Sequence, residues 1–303
     1  MKIDILVLNY NGGELLEKFL PSACEAAKNS LHQCTVYVID NRSTDNSRKI
    51  LEKKFPDARL YASQENKVLC SYNDIVKLLD SEVVIFLNND MKASPDFIDH
   101  LAGHFQDQSV MFVAPRINNF DGTYNGGRSR ILFGGGVIKV VVEQDKALEP
   151  GETQAISTGA FRRSMFISLG GFDDLYLPGI WEDVDLCFRG LKRGWKGVYE
   201  PKAVIWHDES TTFHREYGKR GKMIIAHRNM FLFFWKNISD PEMFVLHIIF
   251  IPARLVLQYF TGNSEPLKGF ISTFWKIPQV IKKRRYMRLE KAGWVLKDRD
   301  IIN

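Results

Sequence analysis

Cysteine is scarce in this chain of 303 residues, and its four copies follow no recognisable pattern. They form no CxxC pair and no zinc-ligand spacing, so we expect free, buried thiols in a reducing compartment rather than a disulfide framework. Hydrophobic residues make up 45% of the chain and charged residues 25%. That mixture excludes a disordered, a collagen-like or a multi-span membrane protein and leaves one large globular domain or two small ones.

Several sequence signals are missing as well. No GxGxxG or GxxxxGKS/T motif follows a predicted strand, which disfavours a dinucleotide site and a P-loop. The chain contains no internal repeat. Its N-terminal stretch MKIDILVLNYN has only a short apolar run, which Asp4 interrupts. We therefore expect no signal peptide and a cytoplasmic protein.

Charge is unevenly distributed along the chain. The formal net charge is +5, yet residues 1–212 carry 24 basic and 29 acidic side chains, whereas residues 213–303 carry 17 basic and 7 acidic ones. An acidic body with a basic tail predicts that the tail contacts an anionic partner. A membrane face, a nucleic acid and a phosphorylated substrate all fit that description.

The first 115 residues alternate between strand and helix patterns. Short apolar or β-branched runs predict strands, and apolar spacings of three and four predict the helices between them. This alternation indicates an α/β fold with a Rossmann-like, mostly parallel sheet flanked by helices. Residues 116–155, rich in glycine and polar residues, predict mobile loops and a hairpin. The predicted strands are Ile3–Leu8, Thr35–Ile39, Arg59–Tyr61, Val83–Leu87 and Val110–Ala114, and the predicted helices are Gly13–Ala27, one capped by Ser43, Thr44 or Asp45, Tyr72–Leu79, and one that Ser94-Pro95 opens.

Polar side chains follow three of these predicted strands. Asn9–Asn11 follow the first strand, Asp40 the second and Asn88–Asp90 the fourth. Ligands bind beyond the carboxyl ends of the strands in such sheets, so the three clusters should meet in one crevice. Asp40 could accept a hydrogen bond from a ligand base or ribose, or cap the next helix. Asp90 could bind a divalent cation or serve as a turn residue.

A further acidic cluster occurs in the segment WEDVDL. Glu182, Asp183 and Asp185 fall within four residues and run into a helical pattern. Acids in a first helical turn complement the helix dipole, but crowded carboxylates also raise one another's pKa, as a general base requires. His207 follows the predicted strand Ala203–Trp206 and is either a structural histidine or a metal ligand.

The basic tail contains one long apolar segment, Met243–Phe260. Four polar or proline residues interrupt it, so it is a poor candidate for a membrane-spanning helix. An interfacial helix, or one packed on the body, fits better. The cations of Lys282–Arg285 are suited to anionic lipid headgroups.

In chain order, these segments resemble the inverting family 2 glycosyltransferases with the GT-A fold, over roughly residues 1–235. VLNYNGGELLEKFLPSA resembles the family's first nucleotide-binding strand and helix, and VIDNRSTDNS its second strand. FLNND resembles the DxD-type metal motif, with Asn88 where the first Asp often stands. ISTGAFRRSMFISLGGFDDLYLPGIWEDVDLCFRGLKRGW resembles the acceptor-side block that ends in the ED motif. IWHDES and HRNMFLFFWKN are similar to the segments that follow.

The resemblance implies a role for each matched residue. Asp183 would be the catalytic base with Glu182 beside it, and Asp90 and His207 would bind Mg²⁺ or Mn²⁺. In the loop NKVLCSYND, Val68 stands where bacterial relatives commonly have glycine. The residues implied at the donor are Asn9, Tyr10, Asn11, Asp40, Asn66, Asn73, Asn89 and Arg228, with His227 and Asn229 near the phosphates, and those implied at the acceptor are Trp181, Gly159 and Asp185.

The same resemblance implies an inverting, metal-dependent transfer of a hexosyl or rhamnosyl group. The donor would be a nucleoside-diphosphate sugar, with UDP and dTDP as the first candidates, and the acceptor a hydroxyl of a cell-surface glycan on a lipid carrier. We expect a GT-A domain over residues 1–235 and a helical, basic, membrane-associating extension over residues 236–303, at the cytoplasmic face of the inner membrane.

Other classes of function remain as alternatives. A non-catalytic nucleotide-sugar-binding scaffold or sensor would be expected to lack the acids of WEDVD. A sugar-phosphate nucleotidylyltransferase would need a glycine-rich loop with a basic residue after the first strand. The tail contains no recognisable nucleic-acid module, so we expect no nucleic-acid partner.

Overall fold

Strands and helices alternate along the first two thirds of the chain, and helices alone follow the last strand. The computed structural model describes residues 1–208, 212–290 and 293–302. The strands are β1 (Lys2–Asn9), β2 (Gln33–Asp40), β3 (Arg59–Ala62), β4 (Val83–Asn88), β5 (Met91–Ala93), β6 (Val110–Asn119), β7 (Tyr124–Gly126), β8 (Ser129–Gly134), β9 (Val137–Val142), β10 (Gly151–Glu152), β11 (Gly159–Arg162) and β12 (Lys196–His207). The α-helices are α1 (Gly13–Asn29), α2 (Ser47–Lys54), α3 (Tyr72–Val76), α4 (Phe97–Ala102), α5 (Arg163–Ser168), α6 (Glu182–Lys192), α7 (Thr212–Asn237), α8 (Pro241–Phe260), α9 (Glu265–Thr273), α10 (Ile277–Glu290) and α11 (Asp298–Ile301).

A large mixed sheet forms the centre of the molecule. Its strand order is β10-β12-β6-β11-β4-β1-β2-β3, with β5 paired to β12 and β7 to β6. The first strands are parallel, as predicted, whereas β11 runs antiparallel between β4 and β6. Residues Ile3–Val7 of β1 are buried in succession because helices cover both faces of the sheet. The α/β fold expected from the sequence is therefore confirmed.

Pairing of the parallel strands brings the predicted polar clusters to one edge. In the sheet register Asn9 lies beside Asp40, and Leu8 lies beside Asn88. The carboxyl ends of β1, β2 and β4 are thus level with one another. This edge is where a doubly wound sheet binds its ligands.

Two helix starts differ from the prediction. The helix expected after Ser43, Thr44 or Asp45 begins at Ser47, whose backbone N–H donates to Asp45 Oδ1 at 3.1 Å, while Asp45 Oδ2 accepts the N–H of Gly13 in α1 at 3.0 Å. The helix expected to open at Pro95 begins two residues later with α4. Tyr72–Leu79 is likewise shorter, since α3 ends at Val76.

Residues 116–155 are more regular than predicted. β6 continues to Asn119 because β12, distant in sequence, pairs alongside it. The hairpin expected in this region is formed by β8 and β9. These residues form strands despite their glycine-rich, polar composition. The pairing of β6 with β12, which is distant in sequence, could not be seen from the local pattern.

The C-terminal helices share a core with the body. One buried cluster contains Ile131 of β8, Phe188 of α6, Phe233 of α7, Val280 of α10 and Ile301 of α11. α7 itself has a break at Gly218, where φ is 65°. The predicted domain boundary after residue 235 falls inside α7, and the division into two domains stays a prediction.

Within the described residues, α8 is the one helix whose length and composition would allow it to cross a membrane. It packs on the body through a narrow stripe of Met243, His247, Ile251 and Leu255, spaced four residues apart. Its remaining surface is largely exposed.

Candidate active site

An asparagine pair joins the end of β1 to the turn after β4. Asn89 Nδ2 donates to Asn9 Oδ1 at 2.7 Å, and Asn9 Nδ2 donates to Ser43 Oγ at 3.2 Å. Ser43 Oγ also accepts the backbone N–H of Asn11 at 2.9 Å. A Cβ at Gly12 would lie 2.1 Å from Asn89 Nδ2, so this close approach requires glycine. Hydrogen bonds therefore fix the floor of the crevice on the predicted donor side.

Asp40 lies at the same edge but is fully buried. Its Oδ1 accepts the backbone N–H of Ser43 at 3.1 Å, and its Oδ2 accepts from Arg48 Nε at 2.6 Å. A carboxylate can accept about four hydrogen bonds, so these two leave room for another donor. In this arrangement Asp40 shapes the loop between β2 and α2, and its contact with a nucleotide base stays a prediction.

Strand pairing brings Asp90 and His207 together. β5 pairs with the end of β12, so His207 lies opposite Met91, and the backbone N–H of Asp208 donates to the Asp90 carbonyl at 3.0 Å. His207 Nε2 then lies 3.4 Å from Asp90 Oδ1. The two predicted metal ligands, 117 residues apart in the chain, are therefore neighbours.

The environment of this pair suits a divalent cation. Asp90 Oδ1 is buried and has no hydrogen-bond partner among the described residues. No group of three or more His, Cys, Asp or Glu side chains in those residues could hold a metal alone. Mg²⁺ and Mn²⁺ accept one or two carboxylates together with water and substrate phosphates. Asp90 and His207 thus fit as two protein ligands of such an ion, and a bound diphosphate would complete its coordination.

The ED acids lie in the first turn of α6, as predicted. Asp183 lines a narrow pocket together with Asn88 from the end of β4 and Thr158, which precedes β11. The Thr158 hydroxyl donates to the Phe86 carbonyl at 2.6 Å and so fixes this wall of the pocket. The predicted base therefore shares this pocket with Asn88, the first polar residue of the predicted metal motif, whereas Asp90 and His207 lie outside its lining.

Two adjacent carboxyl groups in this pocket differ in acidity. Burial raises the pKa of Asp183 to about 6, even though its Oδ1 accepts the backbone N–H of Val184 at 2.8 Å. Burial and the charge of Asp183 raise the pKa of Glu182 to about 8. Glu182 Oε2 is buried and has no hydrogen-bond partner in the described part of the chain. Burial thus makes the pair retain a proton more readily than two exposed carboxyl groups would, and the larger rise at Glu182 favours that residue as the site of the proton.

The loop before the ED helix is held in an unusual conformation. Ile180 and Trp181 have φ values of 71° and 83°, a region that L-residues other than Asn and Asp rarely adopt. Asn229 Nδ2 lies 2.7 Å from each of the carbonyl oxygens of Tyr176, Gly179 and Ile180, so its two N–H groups are shared among three acceptors. Asn229, which we placed near the donor phosphates, is instead fully buried and stabilises this loop.

Asp185 does not contact the crevice in this arrangement. It is fully buried and accepts from Tyr176 Oη, Arg189 Nε, Lys236 Nζ and Asn237 Nδ2 at 2.7–2.8 Å. Although burial opposes ionisation, Lys236 and Arg189 hold the pKa of Asp185 below its usual value. The predicted acceptor contact is therefore replaced by a positioning role, because four donors already occupy the carboxylate.

Three other predicted contacts have structural explanations. A Cβ at Gly159 would lie 2.4 Å from the Val113 carbonyl, so glycine allows β11 to fit against β6. Asn73 Nδ2 donates to the Phe172 carbonyl, and its Oδ1 accepts the N–H of Phe172. Exposed Asn66 accepts the N–H of Val68, two residues on, at 3.1 Å. No ligand is needed to explain any of these three residues.

Arg228 of α7, a predicted donor residue, contacts the loop that precedes the ED helix. Arg228 Nη2 donates to the Leu177 carbonyl at 2.7 Å, and its guanidinium is half-buried. Burial and the neighbouring Glu216 carboxylate raise the pKa of Tyr217 on the same helix.

Trp181 is half-buried, with its ring centroid 5.1 Å from that of Phe233. Phe233 therefore covers one face of the Trp181 indole ring. Ser43, expected as a helix cap, instead joins the asparagine pair of the crevice. Thr158 and Lys236 lie within segments that carry the family resemblance, but no local pattern indicated their roles, because their partners are distant in sequence.

A Rossmann-like sheet with a paired acid–histidine motif and an acid-bearing helix at the carboxyl edge of its strands defines a glycosyltransferase with the GT-A fold. Residues 4–170 match the family described as Glycosyl transferase family 2, and the chain belongs to this family.

Relatives of known name agree with that class. The chain is 26% identical over 263 residues to N-acetylglucosaminyl-diphospho-decaprenol L-rhamnosyltransferase of Mycobacterium tuberculosis, covering 76% of this chain and 83% of the relative. It is 31% identical over 137 residues to pre-mycofactocin glycosyltransferase of the same organism, which covers 43% of this chain and 28% of that relative.

Solved structures share the fold at low sequence identity. GalNAc-T7 with UDP, GalNAc and Mn²⁺ superposes with a TM-score of 0.60 at 15% identity, over 80% of this chain and 48% of that chain. This chain thus spans about half the length of that structure. Mannosyltransferase PcManGT from Pyrobaculum calidifontis, with GDP-Man and Mn²⁺, gives 0.57 at 14% identity, over 91% of this chain and 87% of that one.

Proposed function

We propose that this glycosyltransferase moves a sugar from a nucleoside diphosphate to an acceptor hydroxyl with inversion, using Asp183 as the base. The observation that carries the proposal is the shared pocket of Asp183 and Asn88, which joins the ED helix to the Asp90 segment. The raised pKa of Asp183, about 6, leaves a carboxylate that is ionised at neutral pH yet basic enough to accept a proton.

Each group then has a defined part in the reaction. Asp183 takes the proton of the acceptor hydroxyl as that oxygen bonds to the anomeric carbon and the bond from this carbon to the phosphate oxygen breaks. The nucleoside diphosphate leaves from the opposite face, so one displacement inverts the centre. Asp90 and His207 would hold Mg²⁺ or Mn²⁺, which when bound offsets the charge on the leaving group. Protonated Glu182 can donate a hydrogen bond to a sugar or acceptor oxygen.

Two features support a lipid-linked glycan as the acceptor. The Mycobacterium tuberculosis relative that covers most of this chain is named for a diphospho-decaprenol acceptor and an L-rhamnosyl donor. The basic tail of this chain fits an anionic lipid. We therefore propose a hexosyl or rhamnosyl donor carried by UDP or dTDP, and a peripheral enzyme on the cytoplasmic membrane face.

A thermal-shift panel tests the donor site. Saturating UDP, dTDP, GDP and CMP are compared with and without Mn²⁺ on the wild type, on Asp90→Ala and on Asp57→Ala, an exposed control. A ligand at about 100 times its Kd stabilises the fold by about 2.7 kcal/mol. We expect one diphosphate to raise the melting temperature with Mn²⁺, and Asp90→Ala alone to abolish the rise. Flat curves for every nucleotide would contradict the proposal, and binding without turnover on lipid-linked acceptors would favour the scaffold alternative.

A further inference from the structure

The helix α8 has the reverse of the polarity expected for a helix in water. Its exposed face is apolar: Ile248 is 68% exposed and Phe260 is 80% exposed, with Val245, Ile249 and Leu257 also open. A surface helix of a soluble protein turns its polar side chains outward and its apolar ones inward. The outward face of α8 would therefore be stable only in contact with an apolar phase.

Two of the polar residues within the apolar segment of α8, His247 and Arg254, lie against the protein instead. His247 is buried, accepts from Trp235 Nε1 at 3.0 Å and contacts the Gly136 carbonyl through Nδ1 at 2.6 Å. Arg254 lies against the turn between β8 and β9, where its Nη1 is 3.2 Å from the position of a Cβ on Gly135. The polar interruptions in the apolar segment are thus used for packing on the body.

Neighbouring elements extend the apolar face. Trp275, in the turn between α9 and α10, is 87% exposed, and Phe274 beside it is also exposed. Ile281 and Tyr286 of α10 and Ile271 of α9 add to it. We call these residues and the outward side of α8 the apolar platform. Exposed aromatic side chains of this kind are typical of the membrane interface.

Charge next to the apolar platform is predominantly positive. Residues 241–290 contain eight Lys or Arg and three Glu, of which Glu242 pairs with Arg299 at 3.0 Å and Glu265 with Arg220 at 3.2 Å. Lys282 and Arg285 are exposed on the same helix as Ile281 and Tyr286. A symmetric dimer through this face would place like charges opposite each other, whereas an anionic lipid surface complements them.

We propose that the apolar platform docks this chain on an anionic lipid bilayer, with α8 lying in the plane of the interface. α8 does not cross the bilayer in this arrangement, because its inner stripe from Met243 to Leu255 stays packed on the body. The proposal deepens the proposed function by naming the surface on which a lipid-linked acceptor is reached, and it rests on that function for the identity of the acceptor alone.

Vesicle sedimentation of the full chain tests this proposal. Vesicles of phosphatidylcholine alone are compared with vesicles that contain about one third phosphatidylglycerol. The variants are Ile248→Glu/Ile249→Glu and Trp275→Glu in the apolar platform, Lys282→Glu/Arg285→Glu beside it, and Leu31→Glu, an isolated apolar side chain that is 89% exposed, as control. Melting curves with the nucleotide that the wild type binds establish that each variant is folded.

We expect the wild type to bind the anionic vesicles and to be released by high salt. Each platform variant and the charge-reversal variant should lower the partition coefficient about ten-fold or more, since each removes apolar contact or lipid attraction, and Leu31→Glu should not. Absence of vesicle binding by a wild type that still binds nucleotide would overturn the docking proposal and leave the proposed function standing. Self-association that the platform variants abolish, without vesicle binding, would identify a second copy as the occupant.

Discussion

Glu182 and Asp183 are adjacent in the chain, yet they have different surroundings. Glu182 is almost completely buried and keeps one carboxylate oxygen without a partner, whereas Asp183 is half-buried in a pocket with Asn88. The environment therefore separates the pKa values of the two groups, to about 8 and about 6. Such a separation is how neighbouring acids in one site acquire different roles.

A pH profile follows from the state of Asp183. Because the base must be ionised, kcat/KM should fall as pH decreases through about 6, the value to which burial raises this pKa. Asp183→Asn should reduce turnover by about 10³-fold or more, within the range seen for loss of catalytic groups, while the nucleotide-induced thermal shift persists. Near-normal turnover of Asp183→Asn, or a flat profile between about pH 5 and pH 7, would contradict the assignment.

A left-handed backbone also occurs at Val68, where φ is 51°. Glycine, which the family resemblance implies at this position, is the residue that adopts this conformation without strain. Asn41 Nδ2 donates to the Val68 carbonyl at 3.2 Å and helps to hold the strained residue. Val68, a β-branched residue, thus adopts the left-handed backbone conformation that is typical of glycine.

At the scale of elements, α6 is attached to α7 through buried charges. Lys236 of α7 pairs with Asp185 and with Asp173, which precedes α6 in the chain. Burial opposes ionisation of Asp173, but Lys236 and Lys283 outweigh it and hold its pKa well below the usual value. The ED helix therefore takes its position from α7 and α10 as well as from the sheet.

Replacing Lys236 tests this attachment. Lys236→Met leaves Asp173 and Asp185 with less compensation, so we expect a loss of about 3–5 kcal/mol in the free energy of unfolding at pH 7. Lys222→Met, an exposed change on the same helix, should alter it by less than about 0.5 kcal/mol. The depressed pKa of Asp173 contributes stability that is lost as pH falls. The difference in free energy of unfolding between the wild type and Lys236→Met should therefore shrink in acid.

Urea unfolding of both variants at pH 7 and in acid provides the measurement. Equal stability of Lys236→Met and Lys222→Met would show that the buried charges do not attach α6 to α7.

Local sequence patterns predicted the elements better than their contacts. The apolar runs of β1, β2 and β4 and the polar residues after them predicted both the strands and the edge at which they meet. Asp185 could not be assigned from sequence, since Lys236, about 50 residues away, and Tyr176 act on it only in the folded chain. The role of Asn73, whose partner Phe172 is 99 residues distant, was hidden for the same reason.

At the scale of the whole molecule, the C-terminal helix α11 is attached to the body by buried polar contacts. Lys192 of α6 and Asp298 of α11 form a fully buried ion pair at 2.6 Å. Asp298 Oδ2 also accepts the backbone N–H groups of Ser239 and Asp240 at 2.6 and 2.7 Å. Gln154 Nε2 adds a hydrogen bond to the Ile301 carbonyl. The last helix thus contacts the helix that carries the proposed base.

Asp298→Ala should therefore affect the entire chain. It leaves the Lys192 charge buried and two N–H groups unpaired, so we expect a loss of about 3–5 kcal/mol. Asp300→Ala, two residues away, removes only a helix-cap hydrogen bond and should lose about 1 kcal/mol. Denaturant unfolding followed by tryptophan fluorescence should show a single transition in each case. Two separate transitions would indicate that residues 236–303 form an independent domain.

The outward face of α8 has a kinetic consequence. A chain held flat on a bilayer would meet a lipid-linked acceptor by diffusion in two dimensions, while its nucleotide-sugar donor arrives from the aqueous phase. The rate of encounter with the acceptor then depends on the number of acceptors per unit area. The rate of encounter with the donor depends on the donor concentration in water. Diluting the acceptor with inert lipid at constant bulk concentration would slow such an enzyme, whereas adding water would leave the acceptor density unchanged and lower only the donor concentration.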